Sequence, residues 1–325
     1  MTASLKHLVK RNRWTAAAAY VGHDFVQGLR LRLGDLASES GATHARFSLA
    51  ESLAYLDRVH DDYVSFARTL AGVERLAGTI AEVGPGDSYG VAVRLLADGA
   101  EAVHAIDRFV QRIDRERDGA IYEALAARPG VARVFDGSPA AGRIKGLSVY
   151  RGKPAEEHFA APPGRYDAIL SRAVLEHLQD PLLGLDRMAA ALRPGGVMVH
   201  VVDLSDHGMF EGHHPLTFLT LPDPIYRLMV RNSGRPNRVV VADYRAWLER
   251  SGLAGALQAL KLVGDGAVLP PSELGQFPAP SLAAAEARVA QVRARMPERL
   301  RKMAPADLAV SSFVLVARRA MQRAG

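Results

Sequence analysis

The stretch Ala81-Glu82-Val83-Gly84-Pro85-Gly86-Asp87-Ser88-Tyr89-Gly90 decides how the rest of the chain is read. Thr79 to Val83 is a short apolar, strand-forming run, and Val91 to Leu96 beyond the turn reads as a helix. A glycine-rich turn between strand and helix lets the backbone approach a ligand at the positive end of that helix. A dinucleotide fingerprint needs a third glycine three residues after the second, and Tyr89 stands there, while Pro85 stiffens the turn. Glu82 argues the same way. A carboxylate just ahead of the glycines would repel a pyrophosphate, but it suits an ammonium group, met directly or through water.

Working outward, the next strand, Ala102 to Ile106, runs into Asp107, 23 residues beyond Gly84. An acid at that strand end can accept both hydroxyls of a ribose. One acid for an ammonium and one for a ribose describe a ligand that joins an amino acid to a nucleoside. Leu147 to Tyr150, Tyr166 to Leu170, Val197 to Val202 and Phe313 to Val316 read as further strands. Helices are expected at Pro181 to Leu192, with Asp180 as N-cap and Pro181 first, and around Tyr244 to Arg250. This alternation predicts a doubly wound α/β fold with a mostly parallel sheet. Upstream, Leu49, Leu53, Leu56, Val59, Phe66 and Leu70 form one helical stripe, opened by the capping box Ser48/Glu51 and closed by Gly72. The Ala-rich segment before it reads as helical too.

In this order and spacing, the pieces resemble the class I S-adenosylmethionine-dependent methyltransferases, in particular the branch of ubiquinone- and natural-product-modifying enzymes. The likeness covers residues 78–204. It rests on Glu82 to Gly86, Asp107, Tyr166 to Ser171, Leu175-Glu176-His177-Leu178 and Leu192-Arg193-Pro194-Gly195-Gly196. It implies a seven-stranded Rossmann-like sheet; residues 1–75 are expected as a helical cap and 76–325 as the cofactor-binding domain. It implies S-adenosyl-L-methionine as cofactor, lined by Gly84, Pro85 and Gly86, with Asp107 on the ribose. Pro154, Ala155 and Glu156 fall where the family contacts adenine, and the chain after Leu170, beginning with Ser171 and Arg172, borders the methyl group. One departure is Ser88 followed by Gly90 where the family spaces three glycines.

Some members of that family hold a metal through a Glu-His pair with an acid four residues ahead of the glutamate. Here Arg172 occupies that place and would repel a cation, so no metal is expected. A base is expected instead. An oxygen or neutral nitrogen acceptor must lose a proton, which suits histidine. The candidates are His207, flanked by Asp203 and Asp206, then His214 and His177, with His213 nearby. Most of these lie in residues 204–238, a stretch rich in aromatics, histidine and proline that is expected to form a lid after the fifth strand. With the Ser48 to Leu70 helix opposite, it would enclose a small-molecule acceptor, an oxygen acceptor being favoured.

Bulk composition agrees with an ordinary globular chain: 325 residues, 48% apolar, 23% charged. The absence of cysteine excludes disulfides, thiolate metal sites and cysteine nucleophiles, and fits a reducing cytoplasm, where the protein is expected. The net charge of +6 gathers at the ends, in Lys6, Lys10, Arg11, Arg13, Arg30 and Arg32 and again from Arg288 to Arg323. Peripheral membrane contact through the basic N-terminus is one reading of this, solvated helix faces the plainer one. Without a recognisable RNA-binding module, nucleic acid is not an expected partner. Methylation of RNA or of a membrane-associated lipid or quinone, and cofactor binding without catalysis, are the rival functions. The oligomeric state is not legible.

Overall fold

The computed structural model describes residues 12–34, 37–38, 44–111, 114–160, 162–266, 268 and 270–321. Lys6, Lys10, Arg11 and Arg323 of the basic ends lie outside the described residues. Seven strands build one sheet: β1 (Gly78–Val83), β2 (Ala100–Asp107), β3 (Leu147–Arg151), β4 (Tyr166–Arg172), β5 (Leu192–Asp203), β6 (Ala254–Leu262) and β7 (Val310–Arg318). Their spatial order is β3-β2-β1-β4-β5-β7-β6. The first five run parallel, and β7 pairs antiparallel with both β5 and β6. This is the doubly wound, Rossmann-like architecture expected from the sequence.

Side chains alternate across each strand, so neighbours in sequence feed opposite cores. Ile80, Leu170, Val199 and Val314 face α2 (Leu49–Ala71), α3 (Gly90–Ala97) and α4 (Arg115–Ala126). Ile169, Met198, Phe313 and Leu315 face the other way, toward α6 (Pro181–Ala191), α8 (Val241–Arg250) and α9 (Ala279–Arg293). Between these lie α5 (Ala155–His158), the short helix before β4, and α7 (Asp223–Val230). Trp247 is fully buried in the second core, where its indole N–H donates to Asp186 at 2.7 Å. That bond satisfies the one polar group of a large apolar side chain.

Helix α2 carries the expected capping box, with Gly72 left-handed at its end. Its buried stripe is Leu56, Val59, Tyr63, Phe66 and Ala67, whereas Leu49, in the first turn, is exposed. The stripe packs on the sheet face and on α3, so α2 is a layer of the core.

Residues 204–238 differ more from expectation. They contain α7 and a 3-10 turn (Thr217–Thr220), and Met209, Phe210, Phe218, Leu219, Tyr226 and Met229 are buried in the second core. The aromatic side chains anchor the segment instead of lining a lid. Helix α1 (Arg13–Arg32) lies along α7. Its buried Asp24 accepts the amides of Asn232 and Ser233 at 2.8 and 2.9 Å, and Tyr20 donates to the Met209 carbonyl. Among the described residues, no helix is long and apolar enough to cross a membrane.

Candidate active site

β1 sits beside β4, yet the chain leads outward from β1 to β2 and from β4 to β5, so the loops after β1 and β4 part. Sheets of this kind bind ligands in the crevice at that reversal, beyond the carboxyl ends of the strands. Register sets Val83 opposite Ser171, so the glycine loop and Arg172 open the two walls together.

Gly84 and Gly86 have φ of 70° and 75°, the left-handed region that favours glycine. The Gly84 amide donates to the Ile106 carbonyl at 2.8 Å, and a Cβ on Gly84 would collide with the Val174 side chain from the opposite wall. Asp87 is buried and accepts the amides of His44 and Ala45 at 3.1 and 2.9 Å. This ties the chain ahead of α2 onto the loop, where His44 meets the Tyr55 ring at 5.6 Å.

Glu82 is 4% exposed, its Oε2 has no hydrogen-bond partner, and burial pushes its carboxyl from the ordinary 4.5 to about 8. A buried acid without a partner is expensive unless a ligand completes it. Asp107 ends β2; its Oδ1 accepts the Phe109 amide at 2.8 Å, and burial raises its carboxyl to about 6 against the lowering effects of that bond and of Arg151. Pro154 precedes α5 and Ala155 is buried at its start. Glu156 follows, and its Oε1 accepts the amides of Gln179 and Asp180 at 3.1 and 3.2 Å, tying α5 to the segment after β4.

On the opposite wall the Ser171 hydroxyl is buried against His200 Nδ1 at 2.8 Å, so its side chain belongs to the sheet interior. Arg172 pairs with Asp62 of α2. Ala173 follows with φ of 52°, a conformation unusual for a residue with a Cβ, and its amide donates to the Val201 carbonyl. Beyond it Glu176, His177 and His207 converge: one ligating atom from each lies within 4.8 Å of the others. His207 Nε2 stands 3.8 Å from Glu176 Oε1 and 3.9 Å from Asp203 Oδ2, and the two imidazole rings meet edge-on at 4.8 Å. His207 itself has φ of 49°. Asp206 imposes that turn, its carboxylate accepting the amides of Gly208 and Phe210 at 2.9 Å.

Glu176 is 1% exposed, and burial pushes its carboxyl well above the ordinary range. Burial, helped by the neighbouring His207, lowers His177 to about 4, so its ring is neutral near pH 7. His214 stands apart from this cluster. Its Nδ1 accepts the Leu216 amide at 3.1 Å, and burial and the charges of Arg295 and Arg288 lower its pKa, which places it against α9.

Residues 54–258 match the model of a methyltransferase domain. The chain belongs to that methyltransferase family. By that membership its cofactor is S-adenosylmethionine. The ubiquinone biosynthesis O-methyltransferase of Bordetella pertussis is 30% identical over 115 residues, 33% of this chain and 44% of that enzyme, so the match spans less than half of the relative. Among solved structures, the phosphoethanolamine N-methyltransferase 2 of Haemonchus contortus covers 80% of this chain at 14% identity and TM-score 0.43, with 53% of its own chain matched. An S-adenosylmethionine-dependent methyltransferase from Mesorhizobium loti covers 81% at 18% identity and TM-score 0.41, with 100% of its own chain matched.

The crevice of this methyltransferase fits its cofactor on two counts. The unpartnered Oε2 of Glu82 awaits a donor, and glycines stand where the backbone must come close. Three residues of the walls, Asp87, Tyr55 and Asp62, escaped sequence reading. Asp87 directly follows the glycines and could have been suspected as a cap, but its partners lie 43 and 42 residues away. Tyr55 was hidden on the helix between apolar positions. Asp62 and Arg172 are separated by 110 residues, and no local pattern joins them.

Proposed function

We propose that this methyltransferase methylates an oxygen of a small-molecule acceptor, and that His207 takes the hydroxyl proton. The observation that carries the reading is His207 held by its strained turn between Asp203, at the end of β5, and Glu176, just beyond β4. The likeness to an O-methyltransferase over 33% of the chain supports an oxygen acceptor.

S-adenosylmethionine supplies an already activated methyl group when bound, so the chain has to hold, align and exclude water. Glu82 holds the ammonium group and Asp107 the ribose hydroxyls, while Gly84 and Gly86 permit backbone contact. Pro154 and Ala155 border the adenine, and the backbone at Ser171 and Arg172 closes the methyl side. Arg172 is fixed by Asp62, so its charge is partly neutralised within the wall. His207 accepts the acceptor proton, and Asp203 offsets the positive charge that develops on the imidazole. His177, neutral and half-buried, packs against the His207 ring and limits its motion.

The test combines acceptor screening with His207→Gln. With labelled cofactor and a panel of phenols, sugars and hydroxy acids, label should appear in a methoxy group. General-base loss should lower kcat by about 10²–10⁴-fold while cofactor affinity stays unchanged. Undiminished turnover in the variant, or label on nitrogen or carbon, would overturn the reading.

A further inference from the structure

Helix α1 presents an outward apolar face that no other described residue covers. Trp14, Phe25, Val26, Leu29 and Leu33 are 44%, 67%, 52%, 43% and 86% exposed, and Leu228 of the adjoining α7 is 52% exposed. At 100° per residue, the four on α1 and its C-cap Leu33 fall within one arc, about a third of the helix circumference. Arg32, Arg227 and Arg231 are exposed around them. Two cavities flank Leu228 and Arg231. One, of about 290 Å³, is lined by Val21, Phe25, Leu29 and Arg32; the other, of about 550 Å³, by Leu178, Arg227 and Arg235.

We infer that this face docks the methyltransferase on the surface of an anionic lipid bilayer. A helix that offers Trp, Phe and Leu to one side, bordered by arginines, meets both requirements of the interface: apolar side chains for the acyl boundary and cations for the headgroups. Charge complementarity selects this occupant. A second copy meeting the face through a twofold axis would bring both sets of Arg32, Arg227 and Arg231 into one interface, and like charges gathered there oppose association. A nucleic acid would find phosphate partners, but Phe25, Val26, Leu29 and Leu33 offer it nothing. The face lies on α1 and α7, outside the glycine loop and the His207 cluster, so the inference stands apart from the choice of acceptor.

Full-length protein is sedimented with vesicles of phosphatidylcholine alone and of phosphatidylcholine mixed with phosphatidylglycerol, at low and high salt. Sedimentation is expected with the mixed vesicles only, and it weakens with salt. The pair Phe25→Ser/Leu29→Ser, and separately Arg32→Gln/Arg227→Gln/Arg231→Gln, should each lower vesicle affinity by roughly tenfold or more. These side chains are exposed, so thermal unfolding and cofactor affinity should match the wild type in both variants. Failure of the wild type to sediment with mixed vesicles overturns the inference. So does equal sedimentation of the Phe25/Leu29 variant, which would leave charge alone. A dimer by light scattering that becomes monomeric in that variant assigns the face to a second copy, and likewise overturns it.

Discussion

Replacing Glu82 by Gln keeps the size of the side chain and removes its ability to ionise. Burial raises the carboxyl from 4.5 to about 8, so the folded chain keeps a proton that the unfolded chain gives up. A group raised in this way stabilises fully only below its unfolded value, and stability is lost as pH climbs from about 4.5 toward 8. Each pH unit in that window is worth about 1.4 kcal/mol, so at pH 7 the wild type has forgone about 3 kcal/mol that Glu82→Gln retains. Urea unfolding of cofactor-free protein at several pH values between 4.5 and 8.5 reads this as a difference between the two curves. The variant gains on the wild type steadily with pH, whatever the other carboxyls contribute to both.

The same substitution has an opposite effect on binding. An ammonium group beside Glu82 favours the ionised form, so cofactor binding at pH 7 should release a proton from the wild type and none from this position in the variant. Calorimetry in two buffers of different ionisation enthalpy measures that proton directly. Affinity should fall by about 1.5–3 kcal/mol, the worth of a charge-assisted hydrogen bond. A wild-type-minus-variant stability that stays flat across the window would refute the buried, unpartnered carboxyl, and with it the reason for placing the ammonium there.

Asp107→Asn should weaken S-adenosylmethionine by about 1.5–3 kcal/mol, seen by titration; wild-type affinity should also decline below pH 6, where the carboxyl raised to about 6 takes up its proton, and normal affinity in the variant would remove the ribose role. Gly84→Ala combines positive φ with a collision against Val174, so it should lower stability by about 2 kcal/mol or more, and Val174→Ala in that background should restore part of it. If the second change restores nothing, the two walls do not touch there. Chelation should leave turnover intact if His207 works as a base; activity lost to a chelator and recovered with a divalent ion would instead give Glu176, His177 and His207 to a cation.

The sheet was legible wherever β-branched residues concentrate. Val197 to Val202 and Phe313 to Val316 announce their strands without help. β6 did not, because Ala-Gly-Ala-Leu-Gln-Ala-Leu-Lys-Leu has no β-branched residue and becomes a strand by pairing with β7 at the sheet edge. Helix α7 was hidden inside a segment whose prolines suggested loop, yet Pro222 and Pro224 sit at its start, where the ring is tolerated. In the crevice, Glu82, the glycines and Asp107 could be found because strand ends and turns are local signals. The meeting of Glu176 with His207 was not visible in that way. Nor was the separation of His214, seven residues from His207 but packed against α9.

The attachment of residues 44 and 45 to Asp87 has a consequence for how this enzyme can be cut and recombined. The strand that starts the sheet begins at Gly78, which tempts one to treat everything before it as a detachable module. Yet two of the bonds that shape the cofactor loop are supplied from that preceding stretch. A truncated catalytic core would leave a buried aspartate without donors, and a chimera with a foreign leader would have to supply two amides at the same spot. Leader and core are therefore expected to be inherited as a pair, with the glycine loop as their shared border.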